Sequence, residues 1–309
     1  MRMRGGLLAA LAAMVMAGAA GAQELRIGTA SLGGAFYPMG QAIANLVNKY
    51  AGAGISMVPV VTGGSVQNPK LLASGEVEVA ITNNNLAVLA LAGKGPYGDG
   101  AIDLRAVGAL HPSVLHMMTL KGSGIETFED LKGKRVAVGP AGGGTMGFLN
   151  FLLPLHGMSM DDISPSFLSY SDGFSQLADG NVDAALALSG YPAGAVMQAA
   201  AGAELAYIRF SEGMLEKAVE SNPAYGIYEL PAEVYGTANP GRLIGVDNVL
   251  VVMASMDAGL VERITAAIYD HLDELAAENA YGRQIDPARS MKLPIPLHDG
   301  AARYFARQR

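Results

Sequence analysis

A strand, a glycine-rich turn and a helix follow one another three times in this chain, and no other feature restricts its fold as much. Residues 25–29 read as a buried strand, 31–38 as a Gly-rich turn, and 39–50 as a helix with Ile43, Leu46 and Val47 on one face. Residues 57–61 are the second strand and Thr62-Gly63-Gly64 the second turn, with Ser65 as candidate N-cap of a helix reaching residue 74. The third unit comes later: strand 135–138, turn Gly139-Pro140-Ala141-Gly142-Gly143-Gly144, and Thr145 capping a helix. Strands separated by helices cannot pair as hairpins. They build a mainly parallel sheet covered on both faces.

Other segments extend the pattern. Residues 77–81 form a strand ending at Thr82-Asn83-Asn84-Asn85, and 104–110 and 114–120 are apolar strands parted by His111-Pro112-Ser113, a hinge-like break. Residues 211–247, rich in Pro, Gly and Tyr, read as a long irregular connection. Residues 248–254 read as a buried strand and 257–277 as one amphipathic helix. With 50% hydrophobic and only 16% charged residues, the chain can bury a substantial core.

The first 22 residues are expected to lie outside that core. Arg2 and Arg4 make a positive start, residues 7–16 a short apolar stretch, and Ala20-Gly21-Ala22 an A-x-A cleavage site, the layout of a secretory signal peptide. Cleavage after Ala22 removes both arginines and takes the net charge from −7 to −9. The mature chain is then exported and periplasmic, where ATP and NAD are scarce. An acidic surface does not suit nucleic acid, whose phosphates demand a basic face. The absence of cysteine excludes disulfides, thiolate catalysis and Cys-based metal sites. The absence of tryptophan removes the indole on which sugars often stack.

Each glycine-rich turn joins the carboxyl end of a strand to the amino end of a helix, the edge where open α/β sheets bind ligands. Unpaired N–H groups and the positive end of the helix dipole gather there and suit an anion. Gly33, Gly34, Gly63, Gly64, Gly142, Gly143 and Gly144 admit close backbone approach, and Ser31, Ser65 and Thr145 add hydroxyls. Nucleotide motifs fail in detail: Gly144 stands where a Walker A loop needs lysine, and residues 28–34 lack the G-x-G-x-x-G spacing. No serine lies in G-x-S-x-G and no histidines have H-E-x-x-H spacing. Glu129-Asp130 and Asp161-Asp162 read as helix-start acids, and His298-Asp299 as a surface turn. No nucleophile, base and orienting group assemble, so the residues favour binding without catalysis, metal or cofactor.

The segments Ile27-Gly28-Thr29-Ala30-Ser31-Leu32-Gly33-Gly34-Ala35-Phe36-Tyr37-Pro38 and Thr62-Gly63-Gly64-Ser65-Val66-Gln67-Asn68 carry a family resemblance. So do Leu104-Arg105-Ala106-Val107, Asp130-Leu131-Lys132-Gly133-Lys134-Arg135-Val136, Gly139 to Thr145, Gly190-Tyr191-Pro192 and Pro296-Leu297-His298-Asp299-Gly300-Ala301. In order, over nearly all of the chain after residue 24, they resemble the solute-binding proteins of tripartite ATP-independent (TRAP) transporters, TAXI subfamily. That resemblance implies a two-lobed α/β periplasmic binding protein fold, type II-like, with the ligand cleft between lobes joined by crossing hinge strands. Lobe I would comprise residues 23–112 and 251–309, and lobe II residues 113–250. It implies closure on a ligand and delivery to an ion-gradient-driven TRAP permease, the receptor being a monomer.

Two departures bear on the ligand. Relatives often carry Gln-Ser-Asp where this chain has Asn83-Asn84-Asn85, and His-Pro-Glu where it has His111-Pro112-Ser113. If those acids hold a ligand ammonium, their loss disfavours amino acids; if they lie outside the pocket, it says nothing. The expected ligand is a small carboxylate: a 2-oxo acid such as 2-oxoglutarate, a dicarboxylate, or an acidic amino acid such as glutamate. Thr29, Ser31, Gly33, Gly34, Thr62, Gly63, Gly64, Ser65, Gly142, Gly143, Gly144 and Thr145 should hold the anion. Asn83, Asn84, Asn85, Ser189 and Tyr191 should shape the remainder, with Phe36 or Tyr37 as an apolar wall. Arg105, Arg209 or Arg242 could supply a guanidinium from outside the turns. A sensor that reports ligand state to a membrane kinase would fit the same features; a secreted enzyme on the same fold would need turnover of a bound acid, and no constellation supports it.

Overall fold

The computed structural model describes residues 23–231, 233–235 and 241–308; the expected signal peptide lies outside the described residues. Ten strands make one shared sheet, ordered β2-β1-β3-β10-β4-β7-β5-β6. In chain order these are β1 (Gln23–Gly28), β2 (Ile55–Val60), β3 (Val79–Asn83), β4 (Leu104–Leu120), β5 (Arg135–Ala137), β6 (Ser164–Ser166) and β7 (Ala184–Ser189). The short β8 (Leu205–Tyr207) pairs with β4, and β9 (Gly226–Glu229) with β10 (Arg242–Met253). The helices are α1 (Phe36–Tyr50), α2 (Asn68–Ser74), α3 (Asn84–Ala92), α4 (Gly144–Leu155), α5 (Tyr170–Ala178), α6 (Gly194–Gly202), α7 (Met214–Ser221), α8 (Ala258–Tyr269), α9 (Leu272–Glu278) and α10 (Asp299–Arg307).

The sheet is mixed rather than mainly parallel. Each half contains three parallel strands, β2-β1-β3 and β6-β5-β7, as the crossover helices require. Between them β4 and β10 run antiparallel to each other and to the neighbouring strands β7 and β3. Each of these long strands begins in one half and ends in the other. The two apolar runs of residues 104–120 are therefore one 17-residue strand through Pro112. Pro112 stands before the first β7 pair, at Val114, and beside a register shift in β10. A residue without an N–H is tolerated at such an interruption.

The apolar side chains sort by half and by face. Leu250 and Val252 pack with Leu25, Ile27 and α1, while Val249 and Val251 point the other way toward Leu86 and Ala87 of α3. In the other half Leu115 and Met117 join Phe148 and Leu152 of α4, whereas Val114 and Met118 join Phe174 of α5. Period-two alternation against two helical layers is what a sheet buried on both faces needs. The clusters change between Leu110 and Val114 on β4, and between Val246 and Val249 on β10.

Asn248 holds this changeover together. Fully buried, it donates to the His111 carbonyl (2.7 Å) and Ser113 Oγ (2.8 Å) and accepts from Asn83 Nδ2 (2.7 Å). Asn248→Leu fills similar space but strands three buried partners. Urea denaturation should show a loss of about 2 kcal/mol, and an unchanged midpoint would remove this role from the network.

Local readings shift in four places. The connection 211–247 contains α7, β9 and the first half of β10. The helix expected over 257–277 breaks at Asp270–His271 into α8 and α9, with Asp257 capping the first through Leu260 N. Ser65 and Thr145 cap nothing: α2 starts after Gln67 and α4 after Gly143. His298 is buried and caps α10 by accepting from Gly300 N, so it is no surface turn. Asp130 and Asp162 do complete capping boxes with Thr127 and Ser159.

Candidate functional site

The three glycine turns meet one another across the junction between the halves. The Gly142 carbonyl accepts from Val66 N (3.0 Å) and Gln67 N (3.2 Å), joining the third turn to the second. The first turn is tied to the far half by Ser171 N to the Leu32 carbonyl (3.2 Å), Ala195 N to the Gly33 carbonyl (2.9 Å) and Ala35 N to Ser189 Oγ (2.9 Å). This is a closed arrangement. It depends on missing side chains: a Cβ on Gly142 would stand 3.3 Å from Gly63 Cα, and Gly33, at φ +91°, would drive one to 2.7 Å from Ser171 N.

The interlocked turns surround a narrow recess of about 10 Å³, room for about one water molecule. Of the residues expected to bind ligand, Ser31, Gly34, Phe36, Gly63, Gly64, Ser65, Gly143 and Gly144 line it. Ala30, Ala35, Pro140, Tyr170 and Leu188 line it as well and were not expected. Among the described residues no ionisable group other than Tyr170 faces it, and burial raises that phenol, keeping it neutral. The amino ends of α1 and α4 open onto the recess without a side-chain cap on either. What the walls offer is N–H groups, helix dipoles and hydroxyls. Ser31 Oγ is buried and has no hydrogen-bond partner, a cost normally met by a ligand or water.

Several expected residues serve the frame instead. Thr29 Oγ1 donates to the Val60 carbonyl and Thr62 Oγ1 to the Thr29 carbonyl and Asn68 Oδ1. Thr145 Oγ1 bonds the Tyr170 hydroxyl (2.7 Å) and accepts from Leu188 N, orienting the ring that lines the recess. Gly33, Gly142 and Ser189 join the halves, as above. Asn83 is held by Asn248. Tyr37 and Tyr191 do not line the recess; the Tyr191 carbonyl accepts from Gln284 Nε2. Asn84 and Asn85 line a separate pocket.

Among the described residues no guanidinium enters the recess. Arg105 pairs with Asp103, Arg242 with Glu216, and the Arg209 backbone bonds Phe128 and Glu126 on the outer surface of the second half. The positions of the two missing acids also lie elsewhere, since Ser113 bonds Asn248 and Asn85 bonds the Tyr225 hydroxyl. The inference against an ammonium ligand drawn from them therefore lacks a contact. Tyr170 escaped sequence reading because it sits at the start of α5, after a strand of three residues with no glycine signal.

A sequence profile of the NMT1-like family matches residues 27–308. The chain belongs to the NMT1-like family. Solved structures agree on the architecture. A protein of Bordetella bronchiseptica RB50 is 17% identical over 92% of this chain and 88% of its own, with a TM-score of 0.56. A putative L-cystine ABC transporter protein from Listeria monocytogenes is 12% identical, covering 86% and 99%, with a TM-score of 0.54. The periplasmic aliphatic sulphonate binding protein of Escherichia coli is 19% identical over 92% and 83%, with a TM-score of 0.46. The NMT1-like chain thus has the mixed α/β fold of type II periplasmic binding proteins.

Proposed function

We propose that this NMT1-like protein is an exported solute-binding receptor that closes its two lobes on a small carboxylate and presents it to a membrane permease. The observation that carries this is the recess between interlocked turns, walled by helix amino ends and holding the unpartnered Ser31 hydroxyl. Without a lysine or arginine in the wall, the anion is held by N–H groups and oriented dipoles. Such a site suits a ligand that must also leave. Contacts from both lobes stabilise the closed state only when ligand is present, which is what a permease must recognise. The lobes are residues 23–112 with 251–309, and 113–250, hinged where β4 and β10 cross. The segments quoted above favour a TRAP permease of the TAXI type, with periplasmic residence following from the signal peptide.

The test is a thermal-shift panel on residues 23–309 with 2-oxoglutarate, succinate, glutamate and glucose. A ligand at 100 times its dissociation constant stabilises by about 2.7 kcal/mol, several degrees in midpoint. Ser31→Ala and Ser65→Ala each should lower affinity for the responding acid about fivefold, the worth of one neutral hydrogen bond. If both variants bind like the parent, the recess is not the site. If only glucose responds, the carboxylate reading fails.

A further inference from the structure

Four asparagines from three distant segments converge on a second, larger pocket outside the recess. Asn84 and Asn85 come from the amino end of α3, Asn150 from α4, and Asn222 from the end of α7. The pocket has a volume of about 900 Å³ and spans both halves of the molecule. Phe151 and Tyr225, tilted against each other with centroids 5.0 Å apart, form part of its wall.

Two features separate it from an ordinary surface groove. Asn84 is 9% exposed and its Oδ1 has no hydrogen-bond partner, and the Oδ1 of Asn85 is likewise unpartnered. Buried amide oxygens of this kind are normally satisfied. The pocket also carries little free charge. Asp247 is neutralised by Arg289 and accepts from the Tyr228 hydroxyl (2.7 Å), which leaves exposed Lys292 as the one unpaired charge among the described residues of the wall.

We propose that this pocket is a second ligand site, distinct from the carboxylate recess, for an uncharged polyhydroxylated molecule. A carboxylate would meet the unpartnered oxygens of Asn84 and Asn85 with only the water-exposed Lys292 in its favour, and an ammonium would meet Lys292 with no free carboxylate to offset it. A hydroxyl both donates and accepts, as a primary amide does, so a polyol pairs with all four asparagines. Its C–H face packs on Phe151 and Tyr225, which needs no indole. Because α3 and α4 belong to opposite halves, a polyol held there also favours the closed arrangement.

The probes are sorbitol, myo-inositol, glucose and sucrose, applied to residues 23–309 and followed by saturation-transfer NMR and calorimetric titration. At least one should bind. Asn84→Leu, and independently Asn150→Ala on the exposed side of α4, should each weaken it fivefold or more, while Ser31→Ala leaves it unchanged. Asn150 is exposed and lies outside the buried face of α4, so a folding defect in the first leaves the second decisive. Absence of binding by all four probes overturns the proposal. So does binding that survives both asparagine variants, or binding lost with Ser31→Ala, which would place the polyol in the recess. Loss of carboxylate binding alone bears only on the recess.

Discussion

Gly142→Leu should reduce affinity for the recess ligand at least 100-fold while both lobes remain folded. At Gly142 a Cβ would sit 3.1 Å from Gln67 Cβ and 3.3 Å from Gly63 Cα, both in the facing half. The backbone there is not in the left-handed region, so leucine brings no local strain. It brings bulk into the contact through which Val66 and Gln67 reach the Gly142 carbonyl. With the turns wedged apart, the walls of the recess no longer meet, and a hundredfold loss corresponds to about 2.8 kcal/mol. Small-angle scattering should find the variant extended with and without ligand, whereas the parent contracts on binding. A variant that binds and contracts like the parent would show that closure does not pass through these glycines.

Lowering the pH from 7.5 to 5 should cost about 4 kcal/mol of stability, shared between two buried histidines. His111 lies wholly inside, stacked on Tyr281 at 5.1 Å, with both ring nitrogens unpartnered; burial pushes its pKa down to about 3. Burial likewise lowers His116 to about 4, offset in part by the backbone of Gly190 and Ser189. In the unfolded chain both titrate near 6.5. Below that pH the unfolded state takes up protons that the folded state refuses, so stability is full above pH 6.5 and falls as the pH drops toward the folded values. At pH 5 each histidine contributes a loss of about 2 kcal/mol. Urea midpoints at the two pH values measure the total change, and a histidine variant apportions it. His111→Phe keeps the stack on Tyr281 and should halve the pH dependence; no reduction would acquit His111.

Much of the architecture was legible because it is local. The alternation of apolar runs with glycine turns dictates βα units, and those units dictate parallel pairing within each half. Capping acids at Asp130 and Asp162 obeyed the same short-range rule. The antiparallel centre was not legible, because β4 and β10 pair residues more than 130 positions apart, as with Val114 and Gly245. Pro112 looked like a break, since only the neighbouring strands show that its missing N–H falls at a register shift. Residues 211–247 looked irregular because β9 takes its meaning from β10.

The candidate site divides in the same way. Composition and turn chemistry alone pointed to an uncharged, N–H-lined edge and selected Ser31, Gly63, Gly64, Ser65, Gly143 and Gly144. Tertiary structure decided the rest. It turned Thr29, Thr62 and Thr145 into frame, brought Tyr170 and Leu188 to the recess, and moved Asn84 and Asn85 to another pocket. A hydroxyl or amide looks the same in sequence whether it meets a ligand or a distant carbonyl. Which of the two satisfies it depends on what long-range packing brings within hydrogen-bond reach.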